Sequence, residues 1–170
     1  QHGGLFGSYF QGNIKNLAIK ALSVNNNWTA AFAYRNYSAG VLENIYVEGR
    51  CYSTLTREYG MLFGLNYDAR TKFKNVVVVQ TNTDGNSLVT PNGFGVMGKF
   101  AITNDKLTSS NYTNCITIGA LSFITDSTGA DYIAGYADAA AFKAAGVDTS
   151  AFDKSLWDLS GDDPVFKTAK

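Results

Sequence analysis

Four times in this chain the same order of residues recurs: an apolar residue, a spacer, an asparagine, then alternating apolar residues. The copies are Ile14-Lys15-Asn16-Leu17-Ala18-Ile19, Leu42-Glu43-Asn44-Ile45-Tyr46-Val47, Phe73-Lys74-Asn75-Val76-Val77-Val78 and Tyr112-Thr113-Asn114-Cys115-Ile116-Thr117. Their asparagines are 28, 31 and 39 residues apart. Self-similarity on this scale marks a repeat architecture, in which each unit buries its apolar face against its neighbours. Such a chain tends to present a surface rather than a single pocket.

Parity within each copy adds a conformational constraint. Apolar positions stand two before the asparagine, then one and three after it. Alternation by two is the mark of a strand with one buried face, yet the step across the asparagine is three. A strand changes its buried face only at a bend, so the asparagine is expected to occupy one. Asparagine tolerates the left-handed conformation and bonds its own backbone locally. With copies stacked, Asn16, Asn44, Asn75 and Asn114 would form a structural ladder of side-chain amides.

Shorter motifs precede these copies: Gly4-Leu5-Phe6-Gly7, Met61-Leu62-Phe63-Gly64, and looser versions at Ala31 to Tyr34 and Phe94 to Gly98. Tyr132-Ile133-Ala134-Gly135 is a candidate fifth. All are too short for a helix and read as brief strands entering turns. The alternation of a Gly-x-x-Gly strand with an apolar-x-Asn-apolar strand resembles the GLUG-type repeats of bacterial surface proteins, over roughly residues 3 to 135. The ending from Phe152 to Phe166 looks like the closing segment that often follows such repeats. The second copy departs from the pattern, with Ala31 and Tyr34 in place of both glycines.

The resemblance implies an all-β fold, a right-handed parallel β-helix (solenoid) of about four coils. Residues 1–135 would be the repeats and 136–170 a C-terminal helical segment and capping strand. Ala137 to Ala145 reads as a short helix between Asp138 and Gly146. A stack of strands exposes its last edge, so this segment, with Trp157 and Pro164, is expected to close the final coil. The N-terminal end shows no such lid and is expected to meet another domain or chain, and Gln1 in first position suggests processing or a longer parent.

Composition narrows the function. The 170 residues are 45% hydrophobic and carry 14 basic and 14 acidic side chains, which excludes disorder and leaves no electrostatic footprint for nucleic acid. No apolar run approaches a membrane span. Cys115 stands where Leu17, Ile45 and Val76 stand in other copies, and reads as a small core residue. Cys51 would lie two coils away, about 10 Å at strand spacing, too far for a disulfide, so free thiols are expected. Sequons at Asn27, Asn36 and Asn111 are no more numerous than chance provides.

Catalytic chemistry is not legible. His2 is terminal, no metal-ligand cluster or phosphate loop occurs, and Asp162-Asp163 before Pro164 reads as a turn. The best grouping of charges, Asp68 and Arg70 with Arg35 and Glu58, reads as solvated loops. No catalytic residue, metal or cofactor is expected. Aromatic residues are more suggestive. Tyr9, Tyr37 and Tyr67 follow short strands and should align on one edge, with Trp28 and Tyr59 on return loops. Exposed rings hold sugars or proteins, or stack on each other as a structural ladder; both readings stay open. The candidate binding residues are Trp28, Arg35, Tyr37, Tyr59, Tyr67 and Arg70.

The function expected is a non-catalytic extracellular module of a larger surface protein, a scaffold or a reader of glycan or host surface. Its partners would be a glycan or cell-surface protein, other domains of the same parent chain, or further copies of itself. Alternatives are a phage tail-fibre or tailspike receptor-binding segment on a virion surface, and a polysaccharide-cleaving β-helix enzyme.

Overall fold

Asn16, Asn44, Asn75 and Asn114 have φ angles of 56°, 55°, 53° and 51°, and are the non-glycine residues with positive φ among those described. The bend demanded by parity is therefore a single left-handed residue, a conformation in which asparagine costs least after glycine. The computed structural model describes residues 4–25, 30, 32–52, 62–66, 70–81, 97–100, 109–119 and 135–167.

Two parallel sheets carry the repeats. The first contains β1 (Tyr9–Phe10), β3 (Ala33–Asn36), β5 (Phe63–Asn66) and β7 (Met97–Phe100), in the order β1-β3-β5-β7. The second contains β2 (Ile14–Asn25), β4 (Val41–Tyr52), β6 (Lys72–Gln80), β8 (Tyr112–Ile118) and β9 (Gly135–Tyr136), in that order. Successive copies pair in register. Leu17 lies opposite Ile45, Ile45 opposite Val76 and Val76 opposite Cys115, while Ile19, Val47, Val78 and Thr117 form the next row. One irregularity, between Ile19 and Leu22, lets β2 carry an extra residue against β4 as a bulge.

These rows face the first sheet. Ile45, Val47, Val76 and Val78 share one apolar core with Phe10, Ala33 and Phe63, and Phe32 and Leu62 lie in the same core. Phe32 meets Phe63 edge-to-face at 5.9 Å, and Phe10 stacks on Phe63 at 6.0 Å.

The opposite face of the second sheet is buried as well. Tyr46, Val77, Ile116 and Ile118 pack against Phe142, Phe152, Trp157 and Phe166 of the C-terminal segment. That segment holds α1 (Ala139–Ala144) and the antiparallel pair β10 (Trp157–Asp158) and β11 (Val165–Phe166). Helix α1 starts because the Asp138 carboxylate accepts the Ala141 amide at 2.7 Å. It stops at Gly146, whose φ of 61° is easily adopted without a Cβ. Beyond it Asp148, Asp153 and Asp158 each accept the amide two residues on, from Ser150, Ser155 and Ser160. These Asx turns recur every five residues and bring Phe152 and Trp157 to the same face. Trp157 is 1% exposed and packs edge-to-face with Tyr46, Phe152 and Phe166.

The expectation of a right-handed parallel β-helix of about four coils, closed at its end by a cap, is corrected here. The described residues show two parallel sheets sharing a core and a third layer on the outer face of the second sheet; they show no closed coil. The asparagine frame dictates in-register parallel pairing of like strands, which is a weaker condition than closure. The C-terminal segment packs on the sheet face that carries Tyr46, Val77 and Ile116, while β9 pairs with the end of β8 at Thr117 and Ile118. A parallel sheet with both faces covered also accounts for the unbroken run Val76 to Val79.

Candidate functional site

Buried hydrogen bonding fixes the corners that lead into the second sheet. The Ser38 hydroxyl donates to Gly12 O and accepts from the amides of Gly40 at 2.8 Å and Gly12 at 3.2 Å. Thr71 donates its hydroxyl to Ser38 O and accepts from Asn36 Nδ2 at 3.0 Å, and Asn111 Nδ2 donates to Thr71 O at 2.8 Å. A Cβ on Gly40 would stand 2.3 Å from Gly12 O, so only glycine allows this approach. Gly12, Gly40 and Thr71 of this polar seam each stand four residues before their asparagines, but Asn36, Ser38 and Asn111 stand at unequal distances and hide the pattern in the sequence. It also removes two of the three sequons from solvent: Asn36 is fully buried and Asn111 is 4% exposed.

Alongside runs the amide ladder. Asn44 Nδ2 donates to Asn16 Oδ1 at 2.9 Å, Asn75 Nδ2 to Asn44 Oδ1 at 2.9 Å, and Asn114 Nδ2 to Asn75 Oδ1 at 3.0 Å. One position earlier, Glu43 takes Lys15 at 2.9 Å on one side and Lys74 at 2.8 Å on the other. Hydrogen bonding from Lys74, then Lys15, holds the Glu43 carboxyl below its usual range.

The first sheet offers the surface best suited to binding. Tyr9 lies opposite Arg35 in the pairing of β1 with β3. Arg35 donates from Nη1 to Tyr9 Oη at 3.3 Å, and its guanidinium carbon is 5.5 Å from the Tyr9 ring centre and 5.1 Å from that of Tyr34. The Tyr37 ring lies 5.8 Å from the Tyr9 ring, inclined at 32°. Tyr34 is buried, Arg35 and Tyr37 are half-buried, and Tyr9 is 61% exposed. The short strands position these groups; Leu5 at 61% and Phe6 at 40% exposure are exposed as well, Phe6 against Phe10 and Phe32 of the core.

Of the sequence candidates, Arg35 and Tyr37 are thus brought together, with Tyr9 added and Tyr34 beneath. Tyr9 stands outside the sequence's binding candidates because its pairing with Arg35 follows only from the strand register. Arg70 stands in the exposed turn leading into β6. Trp28, Tyr59 and Tyr67 lie outside the described residues, as do His2, Glu58, Asp68 and Asn27.

Other chemistry is modest. Cys115 is a free thiol whose Sγ lies 3.6 Å from Phe73 O and Thr113 O, and burial pushes it up to about 12, far from a reactive thiolate. The Cys51 side chain lies outside the described residues. Among the described residues no three His, Cys, Asp or Glu side chains gather as a metal site, and no helix is long and apolar enough to cross a membrane. Tyr46 donates to Glu48 at 2.7 Å beneath the C-terminal layer. Burial, then Glu48, raises its phenol far above the usual value. Neither a family model, a curated protein nor a solved structure matches this chain.

Proposed function

We propose that this chain is a non-catalytic extracellular recognition module of a larger surface protein, reading glycan through the Tyr9–Arg35–Tyr37 surface. The observation that carries the reading is an exposed tyrosine whose hydroxyl and ring are both engaged by one arginine, beside a second ring at 5.8 Å. A sugar offers an apolar face of C–H groups to a ring and a rim of hydroxyls to a guanidinium. Holding Arg35 between two rings lowers the entropy it loses on binding. The resemblance of the repeat motifs to GLUG-type surface proteins favours an extracellular setting and a place beside other domains.

The test is a glycan array with the wild type and a Tyr9→Ala/Tyr37→Ala double variant, each checked for an unchanged melting temperature. Saturable binding by the wild type, weakened at least tenfold in the variant and indifferent to chelator, is the expected result. Binding untouched by the double substitution returns the rings to a structural role. Turnover of any polysaccharide overturns the non-catalytic assignment.

A further inference from the structure

The amide ladder has direction, and among the described residues no rung continues it beyond Asn16. Every rung donates from the later asparagine to the earlier one, so at β2 Asn16 enters the ladder through its Oδ1, and a further rung beyond it would take its Nδ2 as the donor. Asn16 is exposed, and no described strand pairs with the outer edge of β2. The same edge is unfinished in two further ways. Ile45, Val47, Val76 and Val78 are fully buried, whereas Leu17 and Ile19, in the same rows, are only partly covered. Lys15 is bonded on one side by Glu43, while its side chain remains 62% exposed.

We infer that the outer edge of β2 is an interaction site for a parallel strand from a separate polypeptide. That strand carries an apolar residue, an acidic one, an asparagine and then alternating apolar residues. Each element answers one feature of the edge. An asparagine Oδ1 accepts from Asn16 Nδ2, and an asparagine follows the left-handed bend that β2 imposes on its neighbour. Apolar residues one and three positions later cover Leu17 and Ile19. The acidic residue faces Lys15, continuing the alternation of Lys15, Glu43 and Lys74. Main-chain hydrogen bonds supply affinity and these side chains the register, as in other cases of strand addition to a sheet edge. A second copy of this chain fits less well. Its β8 carries Thr113 at the position facing Lys15, and its one acidic counterpart, Glu43, is enclosed between β2 and β6. This site is distinct from the Tyr9–Arg35–Tyr37 surface and does not depend on it.

A fluorescent peptide with the sequence of residues 41–50, which already satisfies this register against β2, is the probe. Titrated into the full chain, it should bind saturably and slow amide exchange over residues 14–20 without loosening residues 41–49. Replacing its asparagine by leucine should weaken binding about tenfold. Replacing its first glutamate by lysine should weaken binding about fivefold, and a Lys15→Glu protein that melts cooperatively should reverse that preference. No binding, or equal binding of the three peptides, overturns the proposal. So does loss of protection in residues 41–49, which reports strand exchange, or self-association of the chain that blocks the peptide, which assigns the edge to a second copy.

Discussion

The two faces of the five-stranded sheet are covered by opposite means. The inner face is sealed by strands remote in sequence, repeated in register and tied by the buried hydrogen bonds of Ser38, Thr71 and Asn111. The outer face is sealed by one continuous segment, whose shape comes from local devices: a capped six-residue helix and Asx turns every five residues. The first solution repeats and can be extended; the second is made once and terminates. Most of the sheet's specificity lies in the first, while a large share of its apolar burial depends on the second.

Removing residues 137–170 breaks the comparison most severely. It bares Tyr46, Val77, Ile116 and Ile118 together, and the truncated chain should aggregate or lose cooperative melting. If it melts like the parent and stays soluble, the outer layer contributes little. Trp157→Ala probes the same layer with one side chain and should cost about 3–5 kcal/mol in denaturant titration. Asn44→Leu probes the ladder. It leaves the amides of Asn16 and Asn75 without their shared partner and forces a branched side chain into a left-handed backbone, for a loss of about 1–3 kcal/mol. Asp138→Ala, which strips the cap of α1, should cost about 1 kcal/mol and show first as faster exchange in residues 139–146.

Smallest, and opposite in sign between the two regions, are the effects of pH. Glu43 has its carboxyl lowered from 4.5, so its stabilisation is present above that value and lost as pH falls through the folded one. Asp163, in the C-terminal layer, has its carboxyl raised from 3.8 by burial first, then by Glu48, with Asp162 adding to it. Its contribution is present in acid and lost as pH rises through the folded value. Glu43→Gln should therefore reduce stability at neutral pH by about 0.5–1 kcal/mol for two partly exposed ion pairs, and so lower the melting temperature. Asp163→Asn should raise it. Both differences should vanish in strong acid, and persistence of either there contradicts its electrostatic origin.

The asparagine bend was legible because it is a local demand: a parity flip in a strand needs a left-handed residue, whatever surrounds it. The rows of Leu17, Ile45, Val76 and Cys115 followed from the same frame. Closure into a coil was not contained in that frame, which speaks only of neighbouring strands. The burial of Tyr46 and Val77 was hidden because their partners, Trp157 and Phe152, lie far along the chain. For the candidate site, Arg35 and Tyr37 were read from composition and placement after a strand, whereas Tyr9 acquired its role only through its register with Arg35.

The ladder also separates contour length from spacing. Its rungs are 28, 31 and 39 residues apart along the chain, yet the hydrogen bonds measure 2.9, 2.9 and 3.0 Å. Eleven added residues between one rung and another leave the vertical step unchanged. Because the entropic cost of lengthening a loop grows only logarithmically, the connections are where such a chain can acquire new segments without disturbing its frame. Between β6 and β8, added length need not alter the step from Asn75 to Asn114, which their own hydrogen bond sets.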